Sequence, residues 1–324
     1  MKIDLNPKLY TKEVESVPTR NGYGEGLVLA GEQDKNVVVL CADLTESTRS
    51  LAFKNKFPDR FVEMCVAELN MASVASGLSA VGKVPFISSY AVFSPGRNWD
   101  VIRVAICYNN QNVKIAGAHS GISVGPDGAT HQAMEDLATM RVLPNMTVIV
   151  PCDVHEARKA TIAAAKMYGP IYIRFAREKT PVMTTIKTPF EIGKAYVCRE
   201  GSDATIVACG PLLYEALMAA ESLSKKNISV EVINCPTIKP LDVKTIASSA
   251  KKTGCVVTVE EHQINGGLGG AVAECLVLNQ PAPMERIGMP DKFGESGEPD
   301  ELLTKYGMKA KDIIKAVEKV LKRK

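Results

Sequence analysis

Residues 113–150 read VKIAGAHSGISVGPDGATHQAMEDLATMRVLPNMTVIV. Two short apolar runs, Val113–Gly117 and Thr147–Val150, flank a helical pattern at Gln132–Val142. Continuous apolar strands separated by helices predict a parallel sheet covered on both faces. The same alternation extends outward. Strands are expected at Val37–Ala42, Phe86–Tyr90 and Ile171–Arg174, with helices at Glu68–Val81, Arg97–Asn109 and His155–Tyr168. The stretch PVMTTIKTPFEIG, Pro181–Gly193, carries two prolines and no periodicity, so it reads as a linker. Beyond it the pattern resumes. Strands are expected at Ala204–Cys209, Val230–Asn234 and Cys255–Glu260. Helices are expected at Leu212–Lys225, Leu241–Lys251, Leu268–Leu278, Glu301–Tyr306 and Ala310–Lys322. The fold class is therefore α/β, with two doubly wound domains near residues 1–185 and 190–324.

Composition narrows the functional classes. The chain has 324 residues, 46% hydrophobic and 23% charged, which excludes a disordered or fibrous protein. Its formal charge is +3, and no basic stripe is interleaved with aromatics, so nucleic acid is not an expected partner. The basic cluster Lys319, Lys322, Arg323 and Lys324 reads as a solvated helix end. Nine cysteines include no Cys-x-x-Cys pair, and several lie in apolar runs, such as Cys41 and Cys209. That pattern predicts buried thiols and neither a disulfide framework nor a metal site. The start, MKIDLNPKLY, lacks a signal-peptide core, and no apolar stretch has membrane-spanning length. A cytoplasmic, reduced protein is expected.

Common catalytic motifs fail on context. GLSAVGK, Gly77–Lys83, is followed by Val84 where a P-loop needs Ser or Thr. GISVG, Gly121–Gly125, matches a nucleophile elbow around Ser123, but a Pro126-Asp127-Gly128 turn follows where a helix is required. Two other segments concentrate polar residues. Ala118–Asp136 places His119, His131, Asp127 and several glycines after a strand. Ligands in open α/β sheets bind there, at the carboxyl ends of strands. Glycine admits a ligand close to the backbone, and histidine exchanges protons near neutrality. In the second segment, Phe57–Gly77, Glu68 opens a helix among Val66, Ala67, Leu69, Met71 and Ala72. Those neighbours predict burial, and a buried carboxylate must find a partner or hold its proton.

Together these segments resemble the transketolase family. FPDRFVEMCVAELNMASVASGLS resembles the stretch bearing the glutamate that touches thiamine diphosphate. FISSYAVFSPGRNWDVIR resembles its aromatic cofactor loop, and HSGISVGPDGATHQAMEDLATMRVLPNMTVIVP its substrate-histidine loop. VEEH followed by GGLGGAVAE is shared more widely, with deoxyxylulose-phosphate synthases and 2-oxoacid dehydrogenase β subunits. The likeness runs from about Arg20 to the last helix. A full-length transketolase also carries an N-terminal domain with Gly-Asp-Gly, which this sequence lacks. The chain thus looks like the C-terminal subunit of a split enzyme: a pyrimidine-binding domain followed by a transketolase C-terminal domain.

The resemblance implies a transferase of the pentose phosphate pathway that moves a two-carbon ketol unit from a ketose phosphate to an aldose phosphate. It implies that Glu68 shares a proton with the pyrimidine N1′ of thiamine diphosphate, that Tyr90 and Phe93 stack on the pyrimidine, and that Asp43 lies near the thiazolium. His131 would contact the donor oxygens, with Glu68 and His131 as the catalytic pair, and Asp127 would read the acceptor C2 hydroxyl. Arg20, Ser47, His119 and Arg177 would hold the sugar phosphate. Arg suits phosphate through its planar fork. Arg174 lies three residues from Arg177, so strand alternation lets only one face the site, and Arg177 is the choice. Arg97 is assigned to a helix cap or an acid partner, His155 to a surface helix start and His262 to a structural or interfacial position. The chain itself is expected to hold no metal. Mg²⁺ or Ca²⁺ falls to an N-terminal partner subunit, in an α₂β₂ assembly around a self-dimer. The alternatives are a 2-oxoacid dehydrogenase β subunit, a deoxyxylulose-phosphate-synthase-like enzyme and a non-catalytic regulatory subunit.

Overall fold

The computed structural model describes residues 3–324, so the first two residues of the expected first domain lie outside the described residues. Fourteen strands are numbered in chain order: β1 (Ser16–Pro18), β2 (Val37–Cys41), β3 (Phe61–Glu63), β4 (Val84–Tyr90), β5 (Lys114–Ala118), β6 (Thr147–Ile149), β7 (Ile171–Arg174), β8 (Lys179–Pro181), β9 (Tyr196–Arg199), β10 (Ala204–Ala208), β11 (Val230–Asn234), β12 (Thr237–Lys239), β13 (Val256–Gln263) and β14 (Met284–Met289). The larger sheet has seven strands in the order β12-β6-β7-β5-β4-β2-β3. Six are parallel, and β12 joins antiparallel to β6. The smaller sheet runs β14-β13-β10-β11-β9, with β9 antiparallel. β1 and β8 form a separate antiparallel pair. The doubly wound α/β architecture is as the apolar runs predicted.

Strand alternation divides the core. Val37, Val39, Phe86 and Ile173 pack on one face of the larger sheet, beneath the helices Thr19–Gln33 and Val154–Lys166. Val38, Leu40, Ile87 and Ile115 pack on the other, against Met71, Ala72 and Ala75 of the helix Glu68–Ala80. This second cluster continues into Val207, Ile233 and Leu268 of the C-terminal half, so the two sheets share a core. β12 strengthens the junction, since its residues follow the linker yet complete the first sheet. The linker itself is tied down: Lys159 Nζ donates to the Thr185 and Thr188 carbonyls.

Several elements depart from expectation. The helix Thr19–Gln33 is absent from the sequence reading because its glycines suggest a loop. They serve close packing instead. A Cβ at Gly22 would lie 2.1 Å from the Val154 carbonyl oxygen, and one at Gly26 would lie 2.6 Å from Thr161 Cβ. The helix expected at Gln132–Val142 begins only at Asp136, and the one expected from Arg97 begins at Trp99 and widens to a π-helix at Ile102–Tyr108. Eight cysteines are buried and Cys65 is exposed. Among the described residues, no helix is long and apolar enough to cross a membrane.

A buried acidic pair marks the domain junction. Asp153 accepts from the Glu156, Met183 and Thr184 amides, so it joins a helix start to the linker. Glu156 accepts from the Cys152 amide and from Asn234 Nδ2 of β11, both at 2.7 Å. Burial, and then the charge of Asp153, push its carboxyl from 4.5 up to about 7. A raised folded-state value means the native protein holds this proton more tightly than the unfolded chain does. The stabilisation is therefore full below about 4.5 and lost as pH rises through about 7. Glu156→Gln, which mimics the protonated acid, should flatten that slope. Denaturant titrations from pH 4.5 to 8 should show the wild type losing on the order of 3 kcal/mol more than the variant across this window.

Candidate functional site

Glu68 is the first residue of its helix and is 3% exposed. Ser89 Oγ, from β4, donates to its Oε1 at 3.1 Å. Arg97 Nη1 lies 3.8 Å from Oε2, and the Arg97 guanidinium sits 4.6 Å over the Phe93 ring. Asn98 Nδ2 donates to the Glu68 carbonyl and to Ser94 Oγ, so the loop after β4 wraps the helix start. The neighbours do not all behave as expected. Met71 and Ala72 are buried, but Val66 is 64% and Leu69 51% exposed. The helix turns only its Met71–Ala72–Ala75 stripe to the core. Its other face continues onto exposed Val104 and Tyr108, with Ser76 Oγ bonded to the Ala105 carbonyl.

Three rings and a fourth converge at the carboxyl ends of β4 and β5. The Tyr90 and His119 rings stack at 3.9 Å, and Tyr90 and Phe93 lie nearly parallel at 6.1 Å. His131 meets Phe93 edge-on at 5.3 Å and Tyr90 at 6.2 Å. Tyr90 and Phe93 remain half-buried, so core packing does not consume them. Flat, partly open aromatic faces of this kind suit a heterocycle.

Cations gather on the far side of His119. Arg20 Nη1 donates to His119 Nε2 at 3.3 Å and to the Ser47 carbonyl at 2.8 Å. Burial, and then the charges of Arg20 and Arg177, push the His119 imidazole down to about 3, so it is neutral at physiological pH. Arg20 Nε and His119 Nδ1 are buried with no hydrogen-bond partner in the protein. Such atoms await an acceptor. Arg177 Nη1 donates to the Val124 carbonyl at 2.6 Å and lies 3.5 Å from Asp127 Oδ1. Arg49, which the sequence reading passed over, adds positive charge felt by both Arg20 and His119, and its Nε donates to Asn21 Oδ1.

The two arginines differ in their surroundings. Arg174 is buried against Asp136 at 2.7 Å, whereas Arg177 lies past the strand end, facing the loop. Asp43, two residues past β2, takes a left-handed conformation at φ 56° and is exposed, with its amide donating to Glu63 Oε1. Ser47 is half-buried and contributes its carbonyl. His155 is half-buried away from these groups, and His262 is wholly buried within β13. Of the two readings given to Arg97, a helix cap or an acid partner, the structure shows the second, with Glu68 as the acid. The signal was the need of buried Glu68 for a nearby cation.

A buried carboxylate beside parallel, half-open rings fits the pyrimidine end of thiamine diphosphate. Among the described residues, no cluster of three or more His, Cys, Asp or Glu is arranged to hold a metal ion. Residues 15–183 match the transketolase pyrimidine binding domain, and residues 193–313 match the transketolase C-terminal domain. A Methanocaldococcus jannaschii protein provisionally named transketolase C-terminal section is 44% identical, over 94% of this chain and 96% of its own length. A 6-deoxy-6-sulfo-D-fructose transketolase subunit from a Clostridium species is 41% identical, over 94% of this chain and 95% of that one. A solved structure described as a split gene transketolase, inactive beta4 tetramer, superposes with a TM-score of 0.89 at 47% identity, covering 94% of this chain and 99% of that one. The chain belongs to the transketolase family, whose pyrimidine-binding and C-terminal domains, the thiamine-diphosphate-dependent part, it carries in that order.

Proposed function

We propose that this chain is one half of a two-chain transketolase that moves a two-carbon ketol unit from a ketose phosphate to an aldose phosphate. The observation that carries the reading is the continuous line of contact from Glu68 through Arg97, Phe93, Tyr90 and His119 to Arg20. Thiamine diphosphate, when bound, supplies carbanion stabilisation. Glu68 is placed to share a proton with the pyrimidine N1′, while Tyr90 and Phe93 hold that ring by stacking. Asp43, two residues past the neighbouring strand β2, would lie near the thiazolium. His131, whose Nδ1 is bonded to Thr130 Oγ1, faces the donor's oxygens. Asp127 reads the acceptor hydroxyl. Arg20, Ser47, His119 and Arg177 receive the terminal anion, with neutral His119 offering an N–H rather than a charge. Phosphate is our assignment for that anion; the Clostridium relative is named for a sulfonated ketose.

A partner chain is proposed to supply the diphosphate domain and the Mg²⁺ or Ca²⁺. The exposed Val66 and Leu69 beside Glu68 are the surface on which a self-dimer and two partners would complete an α₂β₂ enzyme. Naming of close relatives as a section and as a subunit supports this.

Three measurements test the reading. In the reconstituted enzyme, Glu68→Gln should lower ketol transfer on the order of a hundredfold or more, as expected for loss of a positioned acid–base group. The fold should persist, and near-normal turnover rejects the role. Arg177→Ala should raise KM for phosphorylated substrates by roughly tenfold or more, through loss of a charge-assisted contact. Hydroxypyruvate should be nearly unaffected, and equal losses for both substrate types assign Arg177 a structural role. Calorimetric titration of the purified chain with thiamine diphosphate and Mg²⁺ should give weak binding that the partner restores together with activity. Tight stoichiometric binding by the chain alone excludes the two-chain arrangement.

A further inference from the structure

The loop between β5 and the helix Asp136–Arg141 carries Asp127 and the Val124 carbonyl that holds Arg177. It turns three times through left-handed glycines: Gly121 at φ 90°, Gly125 at 76° and Gly128 at 75°. Such a loop has little regular structure to fix it, and its glycines leave the unfolded backbone many alternatives. Its few internal bonds include Gly128 amide to the Gly125 carbonyl and His131 amide to the Gly128 carbonyl. Besides Arg177 and the first domain's own contacts, the C-terminal domain holds it directly.

Glu261, on β13, is 3% exposed. Its Oε1 accepts from the Ser123 amide at 2.6 Å, near the start of the 3₁₀ segment Ile122–Asp127. A Cβ on Gly121 would lie 2.2 Å from the same oxygen, so the loop backbone is pressed directly on this carboxyl. On the other side of the loop, a Cβ on Gly128 would lie 2.6 Å from Ser296 Oγ. Gln132 Nε2 spans the two domains, with contacts to the Ile122, Gly125 and Glu295 carbonyls. The adjacent Glu260 points the opposite way, as strand alternation requires, and accepts from the Leu268 and Gly269 amides. Only one acid of the pair therefore reaches the loop. Glu261 also lines a cleft of about 500 Å³ between the domains, with Ser123, Glu178, Pro211 and Pro299. The loop has open space beside it and could shift if released.

We propose that Glu261 is a positioning residue for the ketol-transfer reaction: it fixes the Ser123–Asp127 turn and, through the Val124 carbonyl and Asp127, the direction of the Arg177 guanidinium. The inference rests on the function proposed above, and it gives the C-terminal domain a task at the substrate-binding end of the site. Two substitutions separate its parts. Glu261→Ala removes the acceptor. Glu261→Gln keeps an oxygen able to accept from the Ser123 amide.

In the reconstituted enzyme, Glu261→Ala should raise KM for a phosphorylated acceptor about tenfold, the scale of one lost buried hydrogen bond. The kcat measured with hydroxypyruvate as donor should change less than about twofold on the same scale. Glu261→Gln should restore most of the difference. Amide hydrogen exchange of residues 121–128, read on the purified chain, should quicken about tenfold in Glu261→Ala and stay near wild type in Glu261→Gln. Unchanged exchange in Glu261→Ala overturns the proposal, as does a parallel fall of kcat and rise of KM with every substrate. Should Glu261→Ala fail to fold, Glu261→Asp, one methylene short of Ser123, takes its place with the same two readouts. If the wild-type assembly shows no ketol transfer, the function reading fails, and the exchange measurement alone decides the loop assignment.

Discussion

The ion pair between Arg174 and Asp136 closes the loop on which the proposed site is built. Arg174 Nε donates to Asp136 Oδ2 at 2.7 Å and Nη2 to Oδ1 at 3.1 Å, and both residues are nearly inaccessible to water. Tyr172 Oη donates to the same carboxylate, and Arg174 Nη2 also reaches the Ala133 carbonyl. Burial alone would push the Asp136 carboxyl up, but the Arg174 charge overrides it and holds the group below its ordinary value. A pair of this kind contributes geometry more than net stability, because desolvating two charges offsets much of their attraction. The geometry is what the loop needs. The pair joins the end of β7 to the start of the earlier helix Asp136–Arg141 and so fixes both the return of the histidine loop and the departure of Arg177.

From that closure, contacts spread into both domains. The Ala138 amide donates to His262 Nε2, which is how the buried histidine of VEEH meets the first domain. Its neighbours diverge, Glu260 to a helix start and Glu261 to the Ser123 amide. The VEEH segment thus acts as a seam between domains. Its acids and histidine are satisfied by backbone groups of segments far apart in sequence, so a buried polar strand end is tolerated. β12 and the shared apolar cluster keep that seam in one place.

Much of the fold was legible because parallel strands buried on both faces must be apolar throughout. Val37–Cys41 and Ala204–Ala208 announce themselves that way. The helix Thr19–Gln33 did not, since its glycines answer to a neighbouring helix, and that neighbour is remote in sequence. The turn at Gln132–Glu135 also misled. Its spacing is helical, but Gln132 spends its amide on other carbonyls and Ala133 gives its carbonyl to Arg174. In the site, Glu68, Tyr90, Phe93, His119 and His131 were readable from their segments, and the structure brings the rings together. For Arg97 the sequence left a helix cap and an acid partner both open, because the choice depends on a fold-back that spacing does not encode. Glu68 is buried as its apolar neighbours predicted, yet Val66 and Leu69 stay exposed: apolar character shows that a side chain prefers cover, not whose cover it receives.

Those two side chains, with Val104 and Tyr108, have a cost for the chain on its own. Apolar surface left in water drives association with whatever apolar surface is nearest. The outcome follows the law of mass action: the more concentrated the chain, the larger the fraction whose exposed apolar side chains are covered by another molecule.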